Sequence, residues 1–152
     1  MGAMKQKLME DAGWIKRDPP KPKPKPILCI DFDGVIHAYT SPWTNEYTIS
    51  DGPVPGAFEF LLEALKHFDV VIYSSRSKTK AGIDAMRAWL VEHADGVWWE
   101  SPAGPGLGDV KFASEKPTAF MTIDDRAFCF EGVWPDPVKL RGFQPWNKRD
   151  GK

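Results

Sequence analysis

Residues 27–37 read I-L-C-I-D-F-D-G-V-I-H, and this stretch decides the fold. An unbroken apolar run that ends in acids is the pattern of a strand buried on both faces, as in a parallel sheet. Side chains alternate along an extended chain, so Asp31 and Asp33 face one pocket while Phe32 enters the core. Gly34 then allows the backbone to turn sharply beneath a ligand.

Outward from this strand, helical periodicity alternates with short apolar runs. Phe58, Leu61, Leu62 and Leu65 recur at helical spacing between Gly56 and Phe68, and Pro53 and Pro55 mark the approach to that helix. Residues 70–73 form a second β-branched run. Ile83, Met86, Trp89 and Leu90 outline a second helix reaching about His93; residues 96–99 are a weak third strand. A loop rich in Gly and Pro, residues 101–108, precedes the last clear strand, 119–123. Strand, helix, strand, helix, strand predicts an α/β fold: a three-layer, Rossmann-like parallel sheet with right-handed crossovers and helices on both faces.

Before residue 27 the composition changes. Five of the fourteen prolines fall in residues 19–26, alternating with lysines. Proline fixes φ and removes a backbone donor, so residues 1–26 are expected to form an extended, solvated leader and the folded domain to span 27–152. The formal charge of -1 is a sum of unlike parts: the leader carries seven Lys or Arg against three acids, the body thirteen against eighteen. With 152 residues, 42% hydrophobic, seven Trp and nine Phe, one domain has enough apolar payload to hold together without disulfides. Cys29 and Cys129 are expected as two buried, reduced thiols. No apolar run approaches the roughly 20 residues of a membrane span, and residues 1–11 lack a secretory signal's apolar stretch. The expectation is a cytoplasmic protein with no membrane partner.

In an open parallel sheet, function gathers at the carboxyl ends of the strands, where strand order reverses. Three such ends are polar: Asp31-Phe32-Asp33-Gly34, Ser74-Ser75-Arg76 and Asp124-Asp125-Arg126. Four converging carboxylates raise one another's pKa and destabilise the site. A divalent cation resolves the conflict, and hard oxygen ligands with room for water and phosphate favour Mg²⁺. The Cys and His spacing of a zinc site is missing.

These residues carry a resemblance. I-L-C-I-D-F-D-G-V-I-H, then V-V-I-Y-S-S-R, a Lys, and T-I-D-D-R resemble, in order, the four motifs of the haloacid dehalogenase (HAD) superfamily of phosphohydrolases, over residues 27 to about 130. The match is closest to short members without a cap domain. The resemblance implies that Asp31 is the nucleophile and a metal ligand. It implies that Asp33 is the general acid and base, with its backbone carbonyl on the metal. By the same resemblance Ser74 donates to the phosphoryl oxygens, and Asp125 binds the metal with Asp124 behind it. Lys116 is the phosphate lysine in a K-P context, provided that the chain takes an irregular path before the last strand; Lys111 is the competitor.

Ser75 and Gly34 complete the candidate phosphate-binding set. Arg76 is read either as a substrate contact or as a surface ion pair, and Arg126 as a structural partner for the acids. His37 lies in a small flap, about residues 35–52, as a hydrogen-bonded structural residue or a substrate contact. Tyr39 and Trp43 continue that flap, to stack on a substrate ring or to pack at its edge. Residues 133–146, with Trp134, Phe143 and Trp146, are expected to wrap the domain.

The expected function is a Mg²⁺-dependent phosphatase working through an aspartyl phosphate on Asp31. About twenty residues separate Asp33 from Pro53, too few for a cap, so the site should be open to large substrates or closed by a second copy of the chain in a homo-oligomer. Nucleotide and polynucleotide-end phosphates are the esters that the resemblance favours. Two other classes compete: a non-catalytic binding module on the same fold, and a receiver-like phosphoacceptor. A receiver places its acidic pair on the first strand and its phosphoacceptor on a later one, the reverse of the order here.

Overall fold

The computed structural model describes residues 2–16, 18–94 and 99–149. The chain is an α/β protein built on a four-stranded, all-parallel sheet in the order β3-β2-β1-β4. β1 (Ile27–Ile30) pairs with β2 (Asp69–Ile72) on one side and with β4 (Met121–Ile123) on the other; β3 (Lys111–Phe112) lies beyond β2. The chain thus works outward from β1 through β2 to β3, then crosses back to the far side of β1. The switch point falls between β1 and β4, where an open α/β sheet leaves its crevice.

Helix α1 (Ala3–Asp11) precedes the sheet, α2 (Ala57–His67) joins β1 to β2, and α3 (Lys80–His93) follows β2. The short α4 (Pro137–Arg141) lies near the carboxyl end. α2 starts where the proline pair ends, at Gly56 with φ 82°, and buries Leu61, Ala64 and Leu65. α3 buries Gly82, Met86, Trp89 and Leu90 and is capped by the Thr79 hydroxyl, which accepts from the Gly82 N–H. Both apolar faces meet Leu28, Ile30, Val70 and Ile72 of the central strands in one core, with the wholly buried Phe32 among them. The alternation read at residues 31–33 is therefore realised on its apolar side.

Several expectations are corrected. The leader is not extended throughout: residues 3–11 are rich in Met, Lys, Gln, Leu and Glu, all good helix formers, and they are helical up to the break before Gly13. The prolines of 19–26 keep that stretch free of regular structure. The weak strand at 96–99 lies, apart from Trp99, outside the described residues; β3 at Lys111–Phe112 is the strand next to β2. β4 is shorter than residues 119–123, because Phe120 turns outward after its N–H bonds to the Ile27 carbonyl.

Cys129 is exposed while Cys29 is buried. Its neighbours Phe128 and Phe130 are exposed too, because β4 is an edge strand and the described chain beyond it does not fold back over them. The wrapping expected of residues 133–146 is confined to its end: Val133, Trp134 and Val138 stay exposed, and Trp146 alone hydrogen-bonds back across the domain.

Gly82 is where α3 meets the preceding 3-10 turn, Ser75–Lys78. A Cβ there would overlap the backbone carbonyl of Arg76. Backbone does not yield as a side-chain tip does, so Gly82→Ala should destabilise the protein by about 1–3 kcal/mol. Urea unfolding of the two proteins checks this.

Candidate active site

The register of the sheet assembles the site. Ile30 pairs with Ile72 on one side and Ile123 on the other, so the residues after these three strands, Asp31, Tyr73 and Asp124, emerge together. The Asp31 N–H bonds to the Ile123 carbonyl, continuing the ladder by one step. Above them opens a cavity of about 370 Å³, whose lining includes Asp31, Asp33, Ser74, Ser75, Lys116 and Asp124.

Carboxylate oxygens of Asp31, Asp124 and Asp125 lie within 4.8 Å of one another. Asp125 is the most telling member. Its side chain is only 2% exposed, yet neither oxygen accepts a hydrogen bond, and Arg126 Nε, at 3.7 Å, is too far to donate one. A buried carboxylate without a hydrogen bond is costly. Burial raises the pKa of Asp125 against the opposing charge of Arg126, and the charge of Asp124 adds to the rise. For Asp31, burial and then the charges of Asp124, Asp125 and Asp33 outweigh the hydrogen bond from the Phe32 N–H, moving the pKa from 3.8 to about 7. Three hard oxygen donors, one of them buried and without a hydrogen bond, fit a divalent cation of the Mg²⁺ kind. Gly34, with φ 79°, makes the crowding feasible: a Cβ there would overlap the Asp125 carboxylate.

Asp33 differs from its neighbours. Its carboxylate accepts from Arg76 Nε through both oxygens, at 2.9 and 3.1 Å, and bonds His37 Nδ1 at 2.8 Å. Burial alone would raise its pKa, but the bonds from His37 and Arg76 outweigh burial and hold it below 3.8. Asp33 therefore stands outside the acidic cluster as an ionised, fixed carboxylate. The Asp51 N–H donates to His37 Nε2, so the hydrogen of this imidazole sits on Nδ1 and points at Asp33. Asp51 is itself tied down: burial raises its pKa, but the bonds from the Ser41 hydroxyl and N–H and from Thr40 together outweigh it and hold the pKa at about 2. Phe32 and Trp89 pack around the imidazole.

Arg76 and His37 consequently do not line the cavity; they stand behind Asp33. Arg76 is 1% exposed, so its ion pair with Asp33 is buried and not on the surface. One terminal nitrogen donates to the carbonyls of Asn45, Glu46 and Thr48, and the guanidinium lies 4.5 Å from the centre of the Trp43 ring. It fastens the flap to the site. Gly34 likewise shapes the backbone without lining the cavity. Ser74 lines it while capping the 3-10 turn, its oxygen accepting from the Arg76 N–H; the hydroxyl keeps its own hydrogen to donate.

Lys116 lines the cavity, whereas Lys111 sits on the edge strand β3 and is not among the lining residues. The Ala113 N–H bonds the Ile72 carbonyl at the carboxyl end of β2. Lys116 thus lies near the top of the sheet before the irregular descent to β4, the path its assignment required. Arg126 also lines the cavity, and its N–H is held by Asp124 Oδ1.

Asp51 and Asn147 escape a reading of sequence, as does the partner that Trp146 finds. Asp51 looks like a turn residue before Gly52 and Pro53. Trp146 Nε1 donates to the Gly34 carbonyl at 2.7 Å, and Asn147 Nδ2 donates to the carbonyls of Ala38 and Tyr39. Those contacts span more than 100 residues, and no local pattern announces them. Tyr39 is the one non-glycine residue with positive φ, 53°, among those described; holding an L-residue there costs roughly 1–2 kcal/mol. Compared with protein-family models, with curated proteins and with solved structures, the chain matches none.

Two outcomes follow from these charges. Between pH 4 and 7 the metal-free folded protein keeps a proton on Asp31 that the unfolded chain has lost, so this group's contribution to stability falls as pH rises through that window. Asp31→Asn should therefore raise metal-free stability at pH 8 by up to about 4 kcal/mol, with the gain vanishing near pH 4; thermal melts across pH read it. Arg76→Ala leaves Asp33 buried without its cation and frees three carbonyls. It should cost about 3–5 kcal/mol, measured by urea unfolding at neutral pH.

Proposed function

We propose that this chain is a Mg²⁺-dependent phosphatase that hydrolyses a phosphate monoester through an aspartyl phosphate on Asp31, using a three-layer HAD-like core without a cap domain. The observation that carries the reading is the buried carboxylate of Asp125, met by no hydrogen bond and only by Arg126 at 3.7 Å, beside Asp31 and Asp124 at the switch point of the sheet. The motif order supports it, as does a cavity that joins Asp31 and Asp124 to Ser74 and Lys116.

Asp31, Asp124 and Asp125 would hold the cation. When bound, it neutralises their mutual repulsion and lowers the cost of bringing a phosphate dianion to them. An Asp31 carboxylate oxygen attacks phosphorus as the bond to the ester oxygen breaks, leaving an acyl phosphate on Asp31. Lys116 and the Ser74 hydroxyl stabilise the charge that grows on the phosphoryl oxygens. The departing alkoxide takes a proton from the protonated form of Asp33, which is left as a carboxylate. Water then attacks phosphorus, the bond to Asp31 breaks, inorganic phosphate leaves, and the water's proton passes to a base.

Asp33 suits the second half of this sequence better than the first. Held ionised by Arg76 and His37, it is ready to accept the proton of the attacking water. Protonating a poor leaving group requires it to carry a proton against those same bonds. Where Asp33 carries that proton, alkyl esters, with basic leaving groups, depend on it more than aryl esters do. The ester class that the resemblance favours is a nucleotide or polynucleotide-end phosphate, and the unpaired Cys29 and Cys129 fit a reducing, cytoplasmic setting. Among the described residues no helix is long and apolar enough to cross a membrane.

Hydrolysis of an aryl phosphate should require Mg²⁺, stop with EDTA and be lost in Asp31→Asn; metal-independent turnover or an unchanged variant sinks the mechanism. Asp33→Asn should lose about 10²–10⁴-fold on an alkyl phosphate and clearly less on the aryl one. Phosphate release at steady state measures both.

A further inference from the structure

The cavity has a second half that the proposed chemistry does not use. Besides the acids, Ser74, Ser75 and Lys116, its wall contains the aromatic rings of Tyr39, Trp43 and Tyr73. Tyr39 and Trp43 belong to the flap, a segment without regular secondary structure whose path is set by two long-range fastenings. At one end Arg76 binds the carbonyls of residues 45, 46 and 48 and lies against the Trp43 ring. At the other, the 3-10 turn Trp146–Lys148 binds the carbonyls of residues 34, 38, 39 and 40, and Lys148 Nζ lies 5.2 Å from the centre of the Tyr39 ring.

The consequence is a pair of rings fixed in place but not used up in the core. Trp43 keeps 45% of its surface exposed, and Tyr39 is held at positive φ, a conformation that persists only where surrounding contacts over-determine it. A ring immobilised beforehand loses little freedom when a ligand stacks on it, which is how preorganised aromatic surfaces gain affinity. The rings share a wall with Asp31, so what they meet is the part of the ester beyond the phosphorus.

We propose that Tyr39 and Trp43, fixed by Arg76 and by the C-terminal turn Trp146–Lys148, form a leaving-group subsite that selects phosphate monoesters whose alcohol carries a planar ring. This rests on the phosphatase reading above and adds to it the residues that choose the substrate. The C-terminal turn thereby does for the flap what a separate cap domain would do. Asn147, which touches no substrate, is a positioning residue that acts through Tyr39.

The test uses the full chain with Mg²⁺ and two non-hydrolysable ligands, benzylphosphonate and hexylphosphonate, of similar apolar size but differing in planarity. Calorimetry should give benzylphosphonate a Kd lower by roughly tenfold, the scale of one ring stacked on an aromatic side chain. Trp43→Leu should erase the preference and Trp43→Phe should largely retain it. Asn147→Ala should reduce it while hexylphosphonate affinity stays near wild type, a pattern that a merely structural loss would not produce. Turnover of adenosine 5′-monophosphate against ribose 5-phosphate separates the two sources of a ring: a higher kcat/KM for the former assigns a nucleobase, equal values with a benzyl preference assign a simple aryl group. Equal phosphonate affinities in wild type, or a preference untouched in Trp43→Leu, overturn the subsite and leave the phosphatase reading standing. Failure of both phosphonates to bind overturns the two together.

Discussion

A guanidinium that is almost wholly removed from water has to be met by acceptors, and Arg76 organises the active end of the protein around that requirement. Its Nε takes both oxygens of Asp33, one of its terminal nitrogens takes three flap carbonyls, and its flat face takes the Trp43 ring. The backbone around it is constrained as well. The 3-10 turn that carries Arg76 is capped by Ser74 and pressed against α3 at Gly82. One side chain thus ties the end of β2, the start of α3, the flap and the acid that follows β1.

The second organising constraint is repulsion. β1 and β4 are in register, so Asp31 and Asp124 emerge side by side, and Gly34 lets Asp125 come up beneath them. Nothing among the described side chains fully neutralises that cluster, whereas Asp33, two residues from Asp31, is neutralised by Arg76 and His37. The two carboxylates of one D-x-D motif are thereby driven to opposite electrostatic states: burial among acids pushes Asp31 up, and a cation and an imidazole hold Asp33 down. Divergent environments of this kind are how two chemically identical groups come to fill different roles.

Much of this was legible in the residues. The run before Asp31 declared a buried parallel strand because a two-sided core leaves no position for a polar residue. Leu61, Leu65, Met86 and Leu90 declared their helices because a 3.6-residue period gathers one face. The acids declared the site because like charges at strand ends need a counter-ion. The misread positions share a different cause. Cys129 looked like core because it lies between two phenylalanines, yet apolar neighbours bury a residue only if something covers them, and β4 is an edge strand. The helix at residues 3–11 was hidden by the proline run that follows it, which governs only its own backbone.

By itself, then, the sequence determined the local periodicities, the order of the strands along the chain, and which titratable groups stand at their carboxyl ends. These follow from the covalent alternation of side chains and from the cost of burying charge. Only the tertiary structure decided that Lys116 and not Lys111 reaches the cavity, that Arg76 and His37 stand behind Asp33, and that Trp146 and Asn147 brace a flap more than 100 residues away. Each of those outcomes is a placement or a contact of single residues. Such a contact imposes no period on the chain, so its partner is set by where the backbone happens to pass.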